Sequence, residues 1–267
     1  MKIAIAGAAG KMGRVLTRIA SETSDIEIAG GLESDKSTYL GADIGELAGI
    51  KRLGKSITSN ATDLLPEIQC FIDFSSPSAT SSLSEVCAKA GLIHIIGTTG
   101  LSEQDEARIK AAAKRARIVK SGNMSLGVNL LASLVKKAAE ALGEEFDIEI
   151  LEMHHRQKVD APSGTAMLLG SSVAEGRSIE LKNKSVRVRD GHTGARPSGA
   201  IGFATLRGGS VVGEHCVMFA GPAERLEFTH KAESRDIFAR GALRAALWAQ
   251  HKQPGLYGMA DVLGLND

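Results

Sequence analysis

Aromatic residues, cysteines and net charge are all scarce in this sequence, and each scarcity excludes a class of function. Only 4% of the 267 residues are aromatic, too few for a surface that stacks single-stranded nucleic acid. Three scattered cysteines cannot form a disulfide framework or a zinc cluster, and they fit a reducing compartment. The formal net charge of +1 gives no general attraction to polyanions. We therefore expect no nucleic-acid partner and a cytoplasmic location.

The sequence also lacks a long hydrophobic run and a leader segment. No apolar stretch approaches about 18 residues, so we expect no membrane span. The chain enters its first apolar strand at Lys2, so we expect no signal peptide. What remains is a globular composition, with 43% hydrophobic and 24% charged residues, in a length that suits one large domain or two modest ones.

The N-terminal segment has the pattern of a dinucleotide-binding fold. An apolar strand over 2–6 leads into the glycine-rich turn Gly7–Gly13, and a helical pattern and a second strand over 26–32 follow. This order within about 30 residues opens a Rossmann domain, in which glycines let backbone N–H groups approach a pyrophosphate. The spacing is G-x-x-G-x-x-G rather than the common G-x-G-x-x-G, and a plain tight turn is the alternative.

Glu33 stands at the end of the predicted second strand, where an acid accepts hydrogen bonds from the adenosine ribose. The alternative is a solvated carboxylate at a strand end. A carboxylate there repels a 2′-phosphate, Ser34 is neutral, and Lys11 and Lys36 are the only nearby candidate cations. We therefore expect NADH to be at least as good a cofactor as NADPH.

Further short strands over 70–74, 92–96 and 117–119 alternate with helices, which predicts a parallel sheet. Ligands of such sheets lie at the carboxyl ends of the strands. The segment Gly97-Thr98-Thr99 follows one of these strands, and its small backbone would allow a nicotinamide ring to approach closely. An ordinary turn is the alternative for this segment taken alone.

The second half of the chain has a different pattern. Residues 146–153 alternate with period two, as a half-buried strand does, and later strands are predicted near 185–189, 200–206, 210–219 and 224–229. We predict an α/β fold with a Rossmann dinucleotide-binding domain and an α+β domain that has an open mixed sheet. The first domain spans 1–125 and the second 126–234. A final amphipathic helix over 236–250, within the segment 235–267, is expected to return to the first domain.

Residues 152–167 concentrate the chemistry of the chain. His154 and His155 can exchange protons near neutral pH, and Lys158 adds a fixed cation. Pro162-Ser163-Gly164-Thr165 predicts a helix start, whose free N–H groups suit a carboxylate or phosphate. Paired histidines at a strand end can be purely structural, and adjacent histidines lack the i, i+4 spacing of a zinc pair, so we expect no metal. The segment indicates an enzyme for a small acidic substrate.

Six segments resemble one known family in the expected order along nearly the whole chain. The main ones are Gly7–Gly13, Gly97-Thr98-Thr99-Gly100, Asn123 with Gly127-Val128-Asn129, and above all Glu152–Thr165. Arg207-Gly208-Gly209 with Gly213-Glu214-His215, and the segment from Glu227 to Lys231, also resemble that family. The family is 4-hydroxy-tetrahydrodipicolinate reductase, also called dihydrodipicolinate reductase. The resemblance implies reduction of a cyclic imine dicarboxylate with NADH or NADPH in lysine and diaminopimelate biosynthesis. It also implies a homotetramer built on the sheet of the second domain.

The resemblance assigns roles to individual residues. His154 would be the proton donor and Lys158 a second donor near the substrate nitrogen. Glu33 would hold the adenosine ribose. The substrate carboxylates would be bound by His155, Gly164 and Thr165, with Ser163 at the helix start. The remaining cofactor contacts fall into a diphosphate group, Gly7, Ala8, Ala9, Gly10, Lys11 and Met12, and a nicotinamide group, Gly97, Thr98, Thr99, Ser121, Gly122, Asn123 and Met124.

The sequence departs from the family pattern at three places. Ser34 and Ser76 stand where members carry Arg, and Ser121-Gly122-Asn123-Met124 stands where many carry Ala-Ala-Asn-Phe. The two serines argue against a strong preference for NADPH. Other classes fit less well: no tyrosine is followed four residues later by lysine, as a short-chain dehydrogenase requires, and no cysteine is placed to be a nucleophile. A non-catalytic dinucleotide sensor would have no need of the segment 152–167.

Overall fold

The computed structural model describes residues 1–265 and divides into two compact units. Met1–Leu126 and the C-terminal segment from Arg235 form the first unit, and Gly127–Ser234 forms the second. The last two residues of the predicted tail, 266 and 267, lie outside the described residues. Among residues 1–265, no helix has the length and apolar character that crossing a bilayer requires.

The first unit is built on a parallel seven-stranded sheet in the order β12-β6-β5-β4-β1-β2-β3. Its strands are β1 (Lys2–Ala6), β2 (Glu27–Leu32), β3 (Ile57–Thr58), β4 (Cys70–Asp73), β5 (Ile93–Ile96), β6 (Arg117–Lys120) and β12 (Gly255–Tyr257). Its helices are α1 (Lys11–Ser21), α2 (Ile44–Leu47), α3 (Pro77–Ala90), α4 (Glu103–Ala112), α8 (Asp236–Ala249) and α9 (Met259–Leu263), with 3₁₀ turns at Ala61–Asp63 and Leu65–Glu67. The predicted Rossmann-type architecture is confirmed.

Both faces of this sheet are buried, which explains why its strands are continuously apolar rather than alternating. Ile3 and Ile5 of β1 pack on one side with residues of α1 and α8. Ala4 and Ala6 of the same strand pack on the other side with residues of α3 and α4. Side chains that alternate along one strand therefore serve two separate cores.

The helix predicted as the final one is not the last element. After α8 the chain adds β12, which pairs with β6 at the edge of the sheet, and then α9. The prediction missed them because β12 has three residues and α9 five, too few for a periodic pattern to be visible. The same reason applies to β3 and α2.

The second unit holds a mixed five-stranded sheet in the order β11-β10-β7-β9-β8, which confirms the predicted open mixed sheet. Its strands are β7 (Asp147–His154), β8 (Ser185–Val186), β9 (Ile201–Arg207), β10 (Gly213–Gly221) and β11 (Glu224–Ala232). The helices are α5 (Leu126–Ala141), which begins at the end of the first unit, α6 (Gly164–Gly176) and α7 (Leu181–Lys184). The pair β7–β9 is parallel, whereas β7–β10 and β10–β11 are antiparallel.

Strand β7 positions the chemistry of the second unit. Its alternation buries Ile148 and Ile150 against the apolar residues of α5 and α6, and the next two positions on that face are Glu152 and His154. A carboxylate and an imidazole therefore occupy core positions at the end of the strand. Buried ionisable groups need partners, and the surrounding elements provide them.

Candidate active site

The backbone of the turn in the first unit requires glycine at two positions. Gly7 has φ +74°, and a Cβ on it would lie 2.8 Å from the Phe74 carbonyl oxygen. A Cβ on Gly13 would lie 2.2 Å from the Gly7 carbonyl oxygen. A side chain at either position would thus collide with backbone. Gly7 lets the turn pass close to the chain at Phe74, and Gly13 lets α1 pass close to the turn.

Most N–H groups in this turn are already bonded within the chain. Gly7 donates to the Leu32 carbonyl at 3.0 Å, Ala9 to Glu33 Oε1 at 2.7 Å and Gly10 to the Gly7 carbonyl at 3.0 Å. The N-cap residue of α1, Gly10, has no side chain to cap the helix. Within residues 1–265 the N–H groups of Lys11 and Met12 have no acceptor. The open donors of the predicted diphosphate group are thus at the first turn of α1.

Glu33 lies at the mouth of a cavity of about 710 Å³ beside this turn. Its carboxylate holds Ala9 in place and faces a space large enough for a nucleoside. Apolar side chains, Leu32, Phe74 and Leu83, line part of the cavity. The rest is lined by small and polar residues that include Gly7, Gly10, Ser34, Lys36, Tyr39, Ser75 and Ser76. A glycine turn, uncapped helix amides and an acid at the next strand end fit a dinucleotide.

The residues predicted to contact the nicotinamide are more buried than the sequence indicated. The space left by the missing Cβ of Gly97 is filled by the ring of Phe74, 2.3 Å from where that atom would lie. The Thr98 hydroxyl is buried and bonded to Thr80 and Asp73. Met124 is buried in the core against α8. The side chains of Thr98 and Met124 therefore fix the loops rather than presenting polar atoms to a ligand.

In the second unit, His154 is held by Glu152. Its Nδ1 donates to Glu152 Oε2 at 2.6 Å, and both side chains are almost fully buried. Burial lowers the pKa of His154 below its usual value, and the bond to Glu152 offsets part of that effect. Because Nδ1–H is committed to the carboxylate, Nε2 is the nitrogen that can exchange a proton with a ligand.

The Glu152 carboxylate accepts hydrogen bonds from several groups, and the sequence interpretation did not connect them to it. Arg207 donates from Nη1 at 2.7 Å and from Nη2 at 2.9 Å, and the Ser163 N–H donates at 3.0 Å. Burial raises the pKa of Glu152, but the bonds from Arg207, His154 and Ser163 outweigh it and lower the pKa. The signal was present, since the alternation over 146–153 places Glu152 on the apolar face, where an unpaired charge is not tolerated.

The predicted helix start at Ser163 is the N-cap of α6. The Ser163 Oγ accepts from the Ala166 N–H at 3.1 Å and lies 2.9 Å from His215 Nε2. Burial lowers the pKa of His215 to about 4, and its ring contacts that of His154 with centroids 5.1 Å apart. A Cβ on Gly164 would meet nothing within 4 Å, and its φ is not positive. Neither packing nor backbone conformation requires that glycine, so the open space above it is available to a ligand.

His155 and Lys158 are less enclosed. His155 is half-buried, and the Lys158 Nζ makes two bonds to the Asp160 carboxylate at 2.8 and 2.9 Å. The structure thus brings His154, His155 and the start of α6 together at one end of β7. It does not leave the Lys158 ammonium unpaired, because Asp160 neutralises it.

Comparisons with known proteins show the family of the chain. The family models for dihydrodipicolinate reductase match in two parts, the N-terminus over residues 1–124 and the C-terminus over residues 127–263. The 4-hydroxy-tetrahydrodipicolinate reductase of Methylocella silvestris is 58% identical over all of this chain and 98% of its own. The enzyme of the same name from Brucella abortus is 57% identical over the full length of both chains.

Solved structures show the same fold at much lower sequence identity. A dipicolinate-bound dihydrodipicolinate reductase from Paenisporosarcina sp. TG-14 superimposes with a TM-score of 0.77 at 22% identity, and the match covers 98% of each chain. A probable dehydrogenase from Thermotoga maritima gives 0.65 at 13% identity, over 99% of this chain and 93% of the other. Matched along its whole length by both halves of the family model and by close relatives, the chain belongs to the dihydrodipicolinate reductase family.

Proposed function

We propose that this chain reduces 4-hydroxy-tetrahydrodipicolinate, by way of dihydrodipicolinate, to tetrahydrodipicolinate in lysine and diaminopimelate biosynthesis. Its relatives at 57–58% identity carry the name of that activity. The observation that carries the proposal is the Glu152 carboxylate, which holds the proton-exchanging His154 and the N-cap of α6 at once. A proton donor and an anion-binding helix start are thereby fixed against each other.

The first unit would bind NADH or NADPH. When bound, the nicotinamide supplies the hydride that adds to the conjugated ring carbon of the substrate. The open N–H groups of Lys11 and Met12 would hold the diphosphate, and Glu33 the adenosine ribose. Ser34 puts a neutral residue directly after the acid, and Lys36 is a cation that lines the same cavity, which favours use of NADH alongside NADPH.

The second unit would bind the substrate and supply the proton. Protonated at Nε2, His154 gives up that proton as negative charge develops on the substrate, while Glu152 stabilises the imidazolium beforehand. The N–H of Gly164 and the hydroxyl of Thr165 would receive one carboxylate at the start of α6. His155 and Lys158 would receive the other, with Lys158 exchanging Asp160 for the substrate.

We also propose a homotetramer formed through the face of the second sheet opposite its helices. Register places Leu151, Met153, Leu206, Cys216 and Met218 on that face. Leu206 is 47% exposed and the other four are half-buried. These five residues form an apolar stripe across three strands, and Glu149 and Glu214 lie on the same face across from Met218 and Met153. An apolar stripe beside charged residues is typical of an interface between subunits. Three unpaired cysteines are in keeping with a cytoplasmic location.

The test is steady-state oxidation of NADH and of NADPH with freshly prepared 4-hydroxy-tetrahydrodipicolinate. The wild type should turn over, and His154→Gln should lose about 10²–10⁴-fold in kcat, the usual contribution of a general acid, with NADH affinity unchanged. His251→Gln, at an exposed position of the first unit, is the matched control and should behave as wild type. Cofactor binding without turnover by the wild type would refute the proposal and favour a sensor.

A further inference from the structure

A second buried carboxylate–imidazole pair lies in the first unit, away from the His154 cluster. Asp73 ends β4 and His94 lies on the adjacent strand β5, and both side chains are fully buried. His94 Nε2 is 3.1 Å from Asp73 Oδ2, and His94 Nδ1 is 3.1 Å from Ser84 Oγ on α3. Neither residue figured in the motifs of the sequence, and the proposed reaction does not use them directly.

The hydrogen bonds show how this pair is linked. His94 Nε2 donates to Asp73 Oδ2, and Ser84 Oγ lies 3.1 Å from His94 Nδ1 and 2.9 Å from the Thr80 carbonyl oxygen. The other carboxylate oxygen, Oδ1, accepts three bonds, as an ionised carboxylate does. Asp73 is therefore an ionised carboxylate with hydrogen-bond donors on both of its oxygens.

Asp73 connects two loops at the carboxyl edge of the parallel sheet. Its Oδ1 accepts from the Ser75 N–H at 2.9 Å, from the Ser75 hydroxyl at 2.5 Å and from the Thr98 hydroxyl at 3.3 Å. The Thr80 hydroxyl donates to Thr98 Oγ1 at 2.9 Å, so α3 reaches the same point. Ser75 lines the cavity beside Glu33, and Thr98 lies in the segment Gly97–Thr99. Both loops follow strands at the edge where ligands of such sheets bind.

We propose that the Asp73–His94 pair is a positioning device that fixes the loops 74–76 and 97–99 for binding of the nicotinamide cofactor. Asp73 and His94 do not touch the ligand, and they act through Ser75 and Thr98. A fully buried ionised carboxylate needs hydrogen-bond donors on both oxygens. His94 supplies the donor to Oδ2, while Ser75 and Thr98 supply the donors to Oδ1. The inference rests on the proposed function only in taking the ligand to be NADH or NADPH.

The first experiment measures NADH affinity by calorimetry in the absence of substrate. Thr98→Val removes the hydroxyl that joins the second loop to Asp73 and Thr80, and the Kd for NADH should rise about five- to tenfold, the worth of one or two hydrogen bonds. Thr98→Ser keeps the hydroxyl and should restore affinity. In turnover assays of Thr98→Val, the KM for NADH should rise while the KM for the second substrate stays unchanged.

The matched control is Thr23→Val, which removes a half-buried hydroxyl that donates to the Ile19 carbonyl at 2.8 Å, beyond the C-terminal end of α1 in the same unit. It should lower the melting temperature and leave the Kd for NADH unchanged. Equal Kd values for Thr98→Val and wild type, or an equal rise in Thr23→Val, would overturn the inference and leave the pair a structural one. A wild type that binds NADH but reduces nothing would refute the proposed function and leave this result standing.

The second experiment addresses the pair directly. Histidine ¹⁵N NMR of the wild type should show a proton on Nε2 of His94. In Asp73→Asn the asparagine amide can donate to Nε2, so the resonance should change to the tautomer protonated at Nδ1, and NADH affinity should fall as in Thr98→Val. A His94 without a proton on Nε2 in the wild type would contradict the carboxylate–imidazole pair.

Discussion

At the scale of single residues, the proton chemistry depends on how Glu152 tunes His154. Burial lowers the pKa of His154 from its usual 6.5, so the neutral form dominates at and above neutral pH. A general acid works only while protonated. We therefore expect kcat/KM for the dicarboxylate substrate to rise as pH falls from alkaline values toward 6.5, following the protonated fraction of His154. A pH–rate profile measures this, and the profile of His154→Gln should be flat over the same range.

Glu152→Gln tests the origin of that pKa. The carboxylate raises the pKa of His154 against the effect of burial, so its removal should move the profile to lower pH and reduce kcat/KM at neutral pH by about tenfold. Glu149→Gln is the control on the same strand, because Glu149 is bonded to Arg189 and Arg196 and does not contact His154. A profile that moves to higher pH in Glu152→Gln, or one that moves equally in Glu149→Gln, would contradict the assignment.

At the scale of elements, strand β10 is linked to the start of α6 by a buried neutral imidazole. This imidazole is His215, whose Nε2 lies 2.9 Å from the Oγ of Ser163. Burial gives His215 a folded-state pKa of about 4 against 6.5 for the free group, so the unfolded chain binds more protons between these values. The His215 contribution to stability is complete above pH 6.5 and should decline by about 3 kcal/mol as pH falls to 4. The pKa values of His154 and His230 are lowered too, so they act in the same direction.

Urea unfolding at a series of pH values, followed by circular dichroism, measures this decline. His215→Asn should flatten the slope between pH 4 and 6.5, whereas His192→Gln in the exposed loop should leave it unchanged. A slope that is identical in His215→Asn and wild type would show that His215 is not the group responsible.

The elements also show what the sequence could predict and why the rest escaped it. Period-two alternation located β7, and the turn residues before Gly164 located the start of α6. The partners of Glu152 escaped, because Arg207 is brought to it by the parallel pairing of β7 with β9, 55 residues further along the chain. The link between Asp73 and His94 escaped for the same reason, since it depends on the register of two strands. Local pattern identifies elements, and register decides which side chains meet.

At the scale of the whole molecule, the proposed tetramer depends on the face of the second sheet that carries Leu206. Leu206→Glu places a charge in the apolar stripe and should dissociate the assembly into smaller species, because an unpaired charge is not accommodated in a buried interface. Light scattering should show four 28.0 kDa chains for the wild type and fewer for the variant. Val188→Glu, at a 79% exposed position outside the strands, should remain a tetramer. A monomeric wild type would refute the proposed assembly.

The central claim is that the chain transfers hydride from a nicotinamide cofactor to a cyclic imine dicarboxylate. The most direct measurement supplies NADH deuterated on the transferring face of C4, together with 4-hydroxy-tetrahydrodipicolinate, and follows the isotope into the product by mass spectrometry. We predict that tetrahydrodipicolinate gains one deuterium for each NADH consumed. Consumption of NADH that leaves the product unlabelled, or binding of NADH with no consumption, would contradict the account.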